Sequence, residues 1–362
     1  MSNQSQLKVV IDTGMFDPKI GASNDVLDIC RIASKLFKTD FYFSSQSAKS
    51  DCINLLKYAT YIPLKSIPFD KKRPFQYLKN VLQWVIFLRK EHIDVVHINY
   101  YSWGHSSIFA AYLLRLNIVS RAGLNATVNN PSLKLIKHYV ANCKEQAQSL
   151  ISSVHRNKVH IVGDLVDVGR LKNAKKLELP FFDNSKKLKI LYVGQLSERK
   201  GIHILIEAIA NLLEKPDVAL VGGDWDANGY PLAMKKMIDD NNLNDAIKLV
   251  NHRNDIPSIM KESDILVLPS LAEARPRIIL EAMFLGKCVI ASSVGGIPDM
   301  ICDGETGLLV QPNDPLMLSK TLQKLQNNKA TVQMLGAAAA EFAQKDLLPE
   351  HTVSKYIEIY RS

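Results

Sequence analysis

The sequence predicts an α/β fold made of two doubly wound parallel-sheet halves, and three observations predict it. β-rich runs alternate with segments whose apolar residues recur every three or four positions, which is the pattern of βαβ units. Strand runs such as "DILVLPS" are apolar throughout, so their sheets must be covered on both faces. The chain has 362 residues and 47% hydrophobic content, more than one core holds, because single cores stop growing at about 250 to 300 residues.

The elements follow in order. In the first half "LKVVIDTG", "DVVHINYY" and "LNIVSRAG" are strands, and "NDVLDICRIASKLFK" and "SSIFAAYLLRL" are helices. Between them "FDKKRPFQYLKNVLQWVIFLRK" pairs basic clusters with aromatic and aliphatic residues. It fits a core helix with a basic solvent face, or a helix on an anionic membrane with Lys71, Lys72, Arg73 and Lys79 toward the headgroups. The most polar connection, "DVGRLKNAKKLELPFFDNSKKLK", places the linker between about Asp167 and Lys186. In the second half "KLKILYVGQ", "DVALVGGD", "DILVLPS" and "CVIASS" are strands, with helices "GIHILIEAIANLLEK" and "PRIILEAMFLG".

A formal charge of +9 favours anionic partners. The basic residues are spread along the chain without a nucleic-acid motif, so nucleic acid is not an expected partner. The five cysteines are far apart and form no CxxC pair, which points away from a disulfide framework and from a zinc site. "MSNQSQLKVV" lacks the basic and apolar regions of a signal peptide, and "VLQWVIFL" is far short of the roughly 18 residues of a membrane span. A cytoplasmic location is expected.

Ligands of open parallel sheets sit outside the carboxyl ends of the strands, so the polar residues following each strand are the candidates. In "YVGQLSERKGI" a strand ends at Gly194, and Lys200 stands beside a helix start, where an ammonium adds to unpaired N–H groups in holding phosphate. In "LAEARPRIILEAMFLGK" Glu273 lies in the loop after a strand, Pro276 fits the first helical position, and Glu281 falls about a turn further in. Helical side chains lean toward the N-terminus, so Glu281 points back toward the strand ends. A carboxylate inside an apolar run needs hydrogen-bond donors. Sugar hydroxyls would serve, and so would Arg277 at i−4. In "SSVGGIPDMICDGETGLLV" Gly295 and Gly296 let the backbone approach a ligand, whereas "DGETG" fits a tight structural turn.

These residues resemble a known family. "VGQLSERKGIHILIEAI", "VLPSLAEARPRIILEAMFLGKCVIAS" and "VGGIPDMICDGETGLLVQPNDP" look like the C-terminal domain of retaining GT-B glycosyltransferases of family four, the glycosyl transferases group 1. The resemblance spans about residues 186 to 330, and its E-x7-E pattern at Glu273 and Glu281 is specific. "DVVHIN", "YVANCKE" and "VHIVGDLVD" occupy the expected places in the first half. The resemblance implies two Rossmann-like domains facing across a cleft. Residues 1–168 would bind the acceptor and 169–345 the nucleotide-sugar donor, with a terminal helix at 346–362 packing back on the first domain. It implies that Lys200 holds the donor diphosphate, Glu273 contacts the transferred sugar, and Glu281 holds the ribose. Backbone around Ala274, Arg275, Pro276, Arg277 and Ile278 would complete the cradle, and Arg253 would lie against the base.

The implied activity is transfer of a sugar, with retained configuration, to a hydroxyl of a glycan or lipid-linked saccharide. Cell-surface polysaccharide or lipopolysaccharide biosynthesis is the expected setting, peripheral at the inner membrane face. The donor is a nucleotide-diphosphate sugar, UDP favoured over GDP, with no further cofactor and no metal. Nucleotide departure and acceptor attack on the same sugar face is favoured over double displacement, since no nucleophile stands out. Lys200, Arg199 and helix N-termini would stabilise the leaving diphosphate.

Departures from the family pattern are informative. Gln195 stands where a second diphosphate cation is usual, with Arg199 available from across the loop. "EARP" replaces two glycines. The glycine-rich loop after the first strand, part of the donor site, is reduced to Gly14 and Gly21. Arg121 takes the place of the family's histidine. On the acceptor side "HINYYSWGHSS" offers Asn99 and Tyr100 beside Arg121, while His97 ends a buried strand and fits a core residue. Alternatives on the same architecture are a nucleotide-sugar epimerase, a phosphorylase, or an inactive nucleotide-binding paralogue.

Overall fold

The computed structural model describes the chain except residues 1–5, 14–20, 48, 100–104, 122–133, 176, 178–180, 183–186 and 225–228, and the side chains of residues 21–24 and 51. Two compact units emerge, residues 1–166 with 349–362 and residues 167–348.

The first unit is a sheet of parallel strands in the order β3-β2-β1-β4-β5-β6-β7. They are β1 (Leu7–Asp12), β2 (Thr39–Ser44), β3 (Thr60–Tyr61), β4 (Val95–Ile98), β5 (Asn117–Arg121), β6 (His138–Ala141) and β7 (Val159–Ile161). Val9 and Ile11 of β1 pack with Ile29 of α1 (Gly21–Leu36), whereas Val10 packs on the other face with Trp84 of α2 (Pro74–Lys90). Side chains alternating across β1 thus feed two cores, which is why its central residues Val9–Ile11 are all apolar. The terminal helix α12 (Pro349–Arg361) belongs to this unit. Its Tyr356 and Tyr360 are buried, and Asn117 donates to the Ile359 and Tyr360 carbonyls at 2.9 and 3.1 Å.

The second unit is a parallel sheet in the order β10-β9-β8-β11-β12-β13. Its strands are β8 (Lys189–Val193), β9 (Asp217–Val221), β10 (Ile247–Val250), β11 (Ile265–Leu268), β12 (Cys288–Ser292) and β13 (Leu308–Val310). Every residue of β9, β11 and β12 is buried, as their apolar runs require. Both sheets reverse direction of strand addition once, between β1 and β4 and between β8 and β11, and that reversal opens a crevice at the carboxyl ends. "DGETG" forms the expected turn, with Gly304 N–H donating to the Gly307 carbonyl at 2.9 Å. Cys30, Cys52, Cys143 and Cys288 are buried and Cys302 is exposed, and no disulfide joins any two of them.

Candidate functional site

The loops leaving β8 and β11 flank the crevice of the second unit, and they carry Lys200 and Glu273. After β8 the chain makes a 3-10 turn over Glu198–Lys200, reverses at Gly201 with φ 66°, and enters α6 (Ile202–Ala210). A Cβ at Gly201 would sit 2.0 Å from the Pro269 carbonyl oxygen, so only glycine lets this loop touch the one after β11. Leu271 N–H donates to the Arg199 carbonyl at 2.8 Å, and Arg199 Nη1 returns a bond to the Ala272 carbonyl at 2.8 Å. The two loops are therefore zipped together by one backbone bond and one from the Arg199 side chain.

That zipper holds Glu273 buried against cations. Its Oε1 accepts from Lys200 Nζ and from Ser270 Oγ, the latter at 2.9 Å, and Arg199 Nη1 stands 3.9 Å from Oε2. Arg199 thus reaches Glu273 from the turn after β8, and in the same loop the Gln195 carbonyl accepts from the buried Tyr192 hydroxyl at 2.8 Å. Burial, with the Glu273 charge nearby, pushes the Tyr192 hydroxyl well above its ordinary pKa and keeps it a neutral donor. Gly194 adjoins that ring, and a Cβ there would fall 2.8 Å from the Tyr192 hydroxyl oxygen.

A third loop, after β12, closes on the same place. Gly295, at φ 55°, would put a Cβ 1.7 Å from the Glu273 carbonyl oxygen, and Gly296 N–H donates to the Ala274 carbonyl at 2.7 Å. Ala274 and Arg275 are half-buried and line this seam.

Helix α9 (Arg277–Phe284) carries Glu281, and Arg277 and Ile278 form its first turn. Pro276 is the residue before the helix, with ψ 115°, rather than its first residue, so the proline stops the extended chain instead of opening the helix. Arg170 Nη2 donates to Glu281 Oε1 at 2.8 Å, from α5 (Val168–Asn173), whose start is capped by Asp167 accepting from Arg170 N–H at 3.0 Å. Arg170 is a residue that the sequence reading missed; the cap at Asp167 is the local signal that a helix starts there. Tyr230 was missed as well. Opening α7 (Tyr230–Asp240), it accepts from His203 N–H at 3.3 Å at the start of α6 and meets His203 Nδ1 at 2.7 Å. Arg253 is engaged elsewhere, forking onto Asp255 at 2.8 and 2.6 Å before α8 (Ile256–Glu262).

In the first unit Gly14 and Tyr100 lie outside the described residues. Asn99 follows β4, its N–H donating to the Asp12 carbonyl at 3.0 Å. Arg121, at the end of β5, is buried: it bonds Asp25 at 2.5 Å, Asp164 at 2.6 Å and Asn142 at 3.1 Å. These groups take its Nε and Nη2. His97 is the core residue the sequence suggests, meeting the Tyr360 hydroxyl at 2.6 Å and stacked on Tyr356. Burial and the nearby Arg121 charge lower it to about 3.

Two sheets of this order, each with its crevice at the strand ends, define the GT-B fold. A glycosyltransferase from Rickettsia africae ESF-5 superposes with a TM-score of 0.86 at 19% identity, over 99% of this chain and 98% of that one. Anabaena Alr3699/HepE, solved with UDP-glucose, superposes at 0.77 and 18% identity over 97% and 98%. Residues 175–342, most of the second unit, match the family model of glycosyl transferases group 1. A D-inositol 3-phosphate glycosyltransferase of Corynebacterium diphtheriae is 31% identical over 159 residues, 42% of this chain and 37% of the relative. Its counterpart from Streptomyces avermitilis is 27% identical over 294 residues, 71% and 62% respectively. The matched stretches thus span less than two thirds of these relatives' own lengths.

Proposed function

We propose that this protein is a retaining glycosyltransferase that moves a sugar from a nucleotide-diphosphate sugar to a hydroxyl of a glycan or lipid-linked acceptor. The observation that carries this is the meeting of Lys200 and Glu273 at the crevice between β8 and β11, with Glu281 one turn into α9. Lys200 holds the departing diphosphate, with Arg199 as the second cation in the absence of one at Gln195. Glu273 orients the sugar hydroxyls, and the acceptor attacks on the face the nucleotide leaves. Charge builds on the diphosphate in the transition state, where fixed cations act most strongly. The proposal assigns no metal to this step. Glu281 takes the ribose hydroxyls, and Arg170 keeps its carboxylate compensated when no donor is bound.

UDP is favoured as the nucleotide, supported by the Anabaena relative solved with UDP and with UDP-glucose. Work on cell-surface or lipopolysaccharide glycans at the cytoplasmic membrane face is the proposed setting, and a galactosyltransferase of the lipopolysaccharide outer core shares the fold at a TM-score of 0.74. The test is thermal unfolding with UDP, GDP and their sugars, on the wild type and on Glu281→Ala. A ligand that prefers the folded chain raises its melting temperature. The expected result is a rise with UDP compounds that Glu281→Ala removes. No rise with any nucleotide overturns the donor site.

A further inference from the structure

Helix α2 has two apolar faces, and one of them is uncovered. Tyr77, Val81, Trp84 and Leu88 are buried in the core of the first unit. Phe75 is 86% exposed, Leu78 56%, Leu82 58% and Ile86 58%. At about 100° per residue these four fall within an arc of about 80°, roughly 135° from the centre of the buried stripe. Single exposed apolar residues are ordinary, but four in one line along a helix form a contact face. Phe69 before the helix and Tyr112 and Leu113 on the adjoining α3 (Ser106–Leu113) are also exposed.

The charges along the helix itself have one sign, with Asp70 and Glu91 just outside its ends. Residues 71–90 contain Lys71, Lys72, Arg73, Lys79, Arg89 and Lys90 and no aspartate or glutamate. All six are exposed. By the same helical arithmetic Lys79, Arg89 and Lys90 fall inside the apolar arc or within about 40° of it. A second copy of this chain would bring two such cationic rims together, which like charges oppose. An anionic lipid surface meets both features: the cations lie at the headgroups while the phenylalanine and aliphatic side chains enter the acyl boundary. No described helix is long and apolar enough to cross a membrane, so contact of this kind is confined to the interface.

We propose that the outer face of α2 seats this protein on anionic membranes, with Phe75, Leu78, Leu82 and Ile86 inserted and the basic residues at the headgroups. The inference deepens the lipid-linked acceptor reading, yet it draws on no donor-site residue, and nucleotide binding is measured separately, so either can fail alone.

The test is sedimentation of the full chain with vesicles of phosphatidylcholine, alone or mixed with phosphatidylglycerol, at low and high salt. Binding is expected to be about tenfold stronger to the mixed vesicles and to weaken with salt. Leu78→Ser/Leu82→Ser/Ile86→Ser, and separately Lys71→Glu/Lys72→Glu/Arg73→Glu, should each reduce it about tenfold. Because the changed side chains are exposed, both variants should keep the wild-type melting temperature and nucleotide response. Equal binding by the serine variant, or no binding by the wild type, overturns the proposal. So does concentration-dependent dimerisation that the serine variant abolishes without vesicle binding, which would assign the face to a second copy.

Discussion

At the strand ends of the first sheet Arg121 lies between Asp25 and Asp164, all three at most 6% exposed. At those of the second sheet Glu273 and Glu281 meet Lys200, Arg199 and Arg170, the last two 44% and 50% exposed. Both places stabilise carboxylates with cations. In the first the whole cluster is sealed, so its charges serve the fold. In the second the carboxylates are buried but two of their three cations reach solvent, so an incoming ligand can replace or share them with little rearrangement.

The largest effect expected from breaking this contrast is on stability. Arg121→Met strands two buried carboxylates and should cost about 3–5 kcal/mol in urea unfolding at neutral pH. A loss below about 1 kcal/mol would mean that the cluster is wet or dispensable. Lys200→Met acts mainly in the other currency: it should lower sugar transfer about 100- to 1,000-fold, while Ser270 and Arg199 stay beside Glu273 and keep its cost in unfolding below that of Arg121→Met. If instead it unfolds the second unit, the ion pair with Glu273 is structural.

Acid should separate the units too. Burial holds His97 near 3 and His105 near 4, and both belong to the first unit. The unfolded chain binds their protons at about 6.5, the folded chain only near 3 and 4, so stability falls as pH drops through that window. Each contributes at most about 1.4 kcal/mol per pH unit. The opening free energy from hydrogen exchange at β4 and α12, corrected for the intrinsic exchange rate at each pH, should therefore fall between about pH 6.5 and 4, and His97→Gln should shallow the slope. An identical slope in that variant would remove His97 from the account. The smallest effect is expected at Arg170. Arg170→Gln should alter stability by less than about 0.5 kcal/mol, because the guanidinium is half exposed. It should tighten nucleotide binding about threefold by freeing Glu281 for the ribose. A tenfold loss would show that Arg170 itself contacts the ligand.

The alternation of strands and helices was legible because each half repeats a local period, and the second-unit loops were legible because their chemistry is local. Glu273, Ser270 and Arg275 lie within one short turn, and Lys200 sits next to the glycine that its helix start requires. Partners distant in sequence were not. Arg170 reaches Glu281 across 111 residues and Arg121 reaches Asp25 across 96, and no periodicity encodes such pairings. Arg121 shows the same limit: an arginine at a strand end carries no mark in the sequence of the two aspartates that enclose it. Pro276 was misplaced by one position, since a proline is equally at home just before a helix and at its first turn. The outer stripe of α2 was hidden for a different reason. Two apolar faces superposed on one helix produce a nearly continuous hydrophobic run, "VLQWVIFL", in which neither face can be told from the other.

Gly201 and Gly295 press main chain directly against main chain, leaving no room there for a side chain of any kind. The shape of the cradle is thereby uncoupled from the residues that decorate it. On the proposed donor reading, Ala274, Arg275 and Ile278 can drift or be redesigned for a different sugar while the seam beneath them stays put. Change at either glycine, by contrast, would move the whole crevice at once. Selection on such a protein therefore meets two kinds of position within a few ångströms: a fixed frame, and an interchangeable lining on which new specificity can be built.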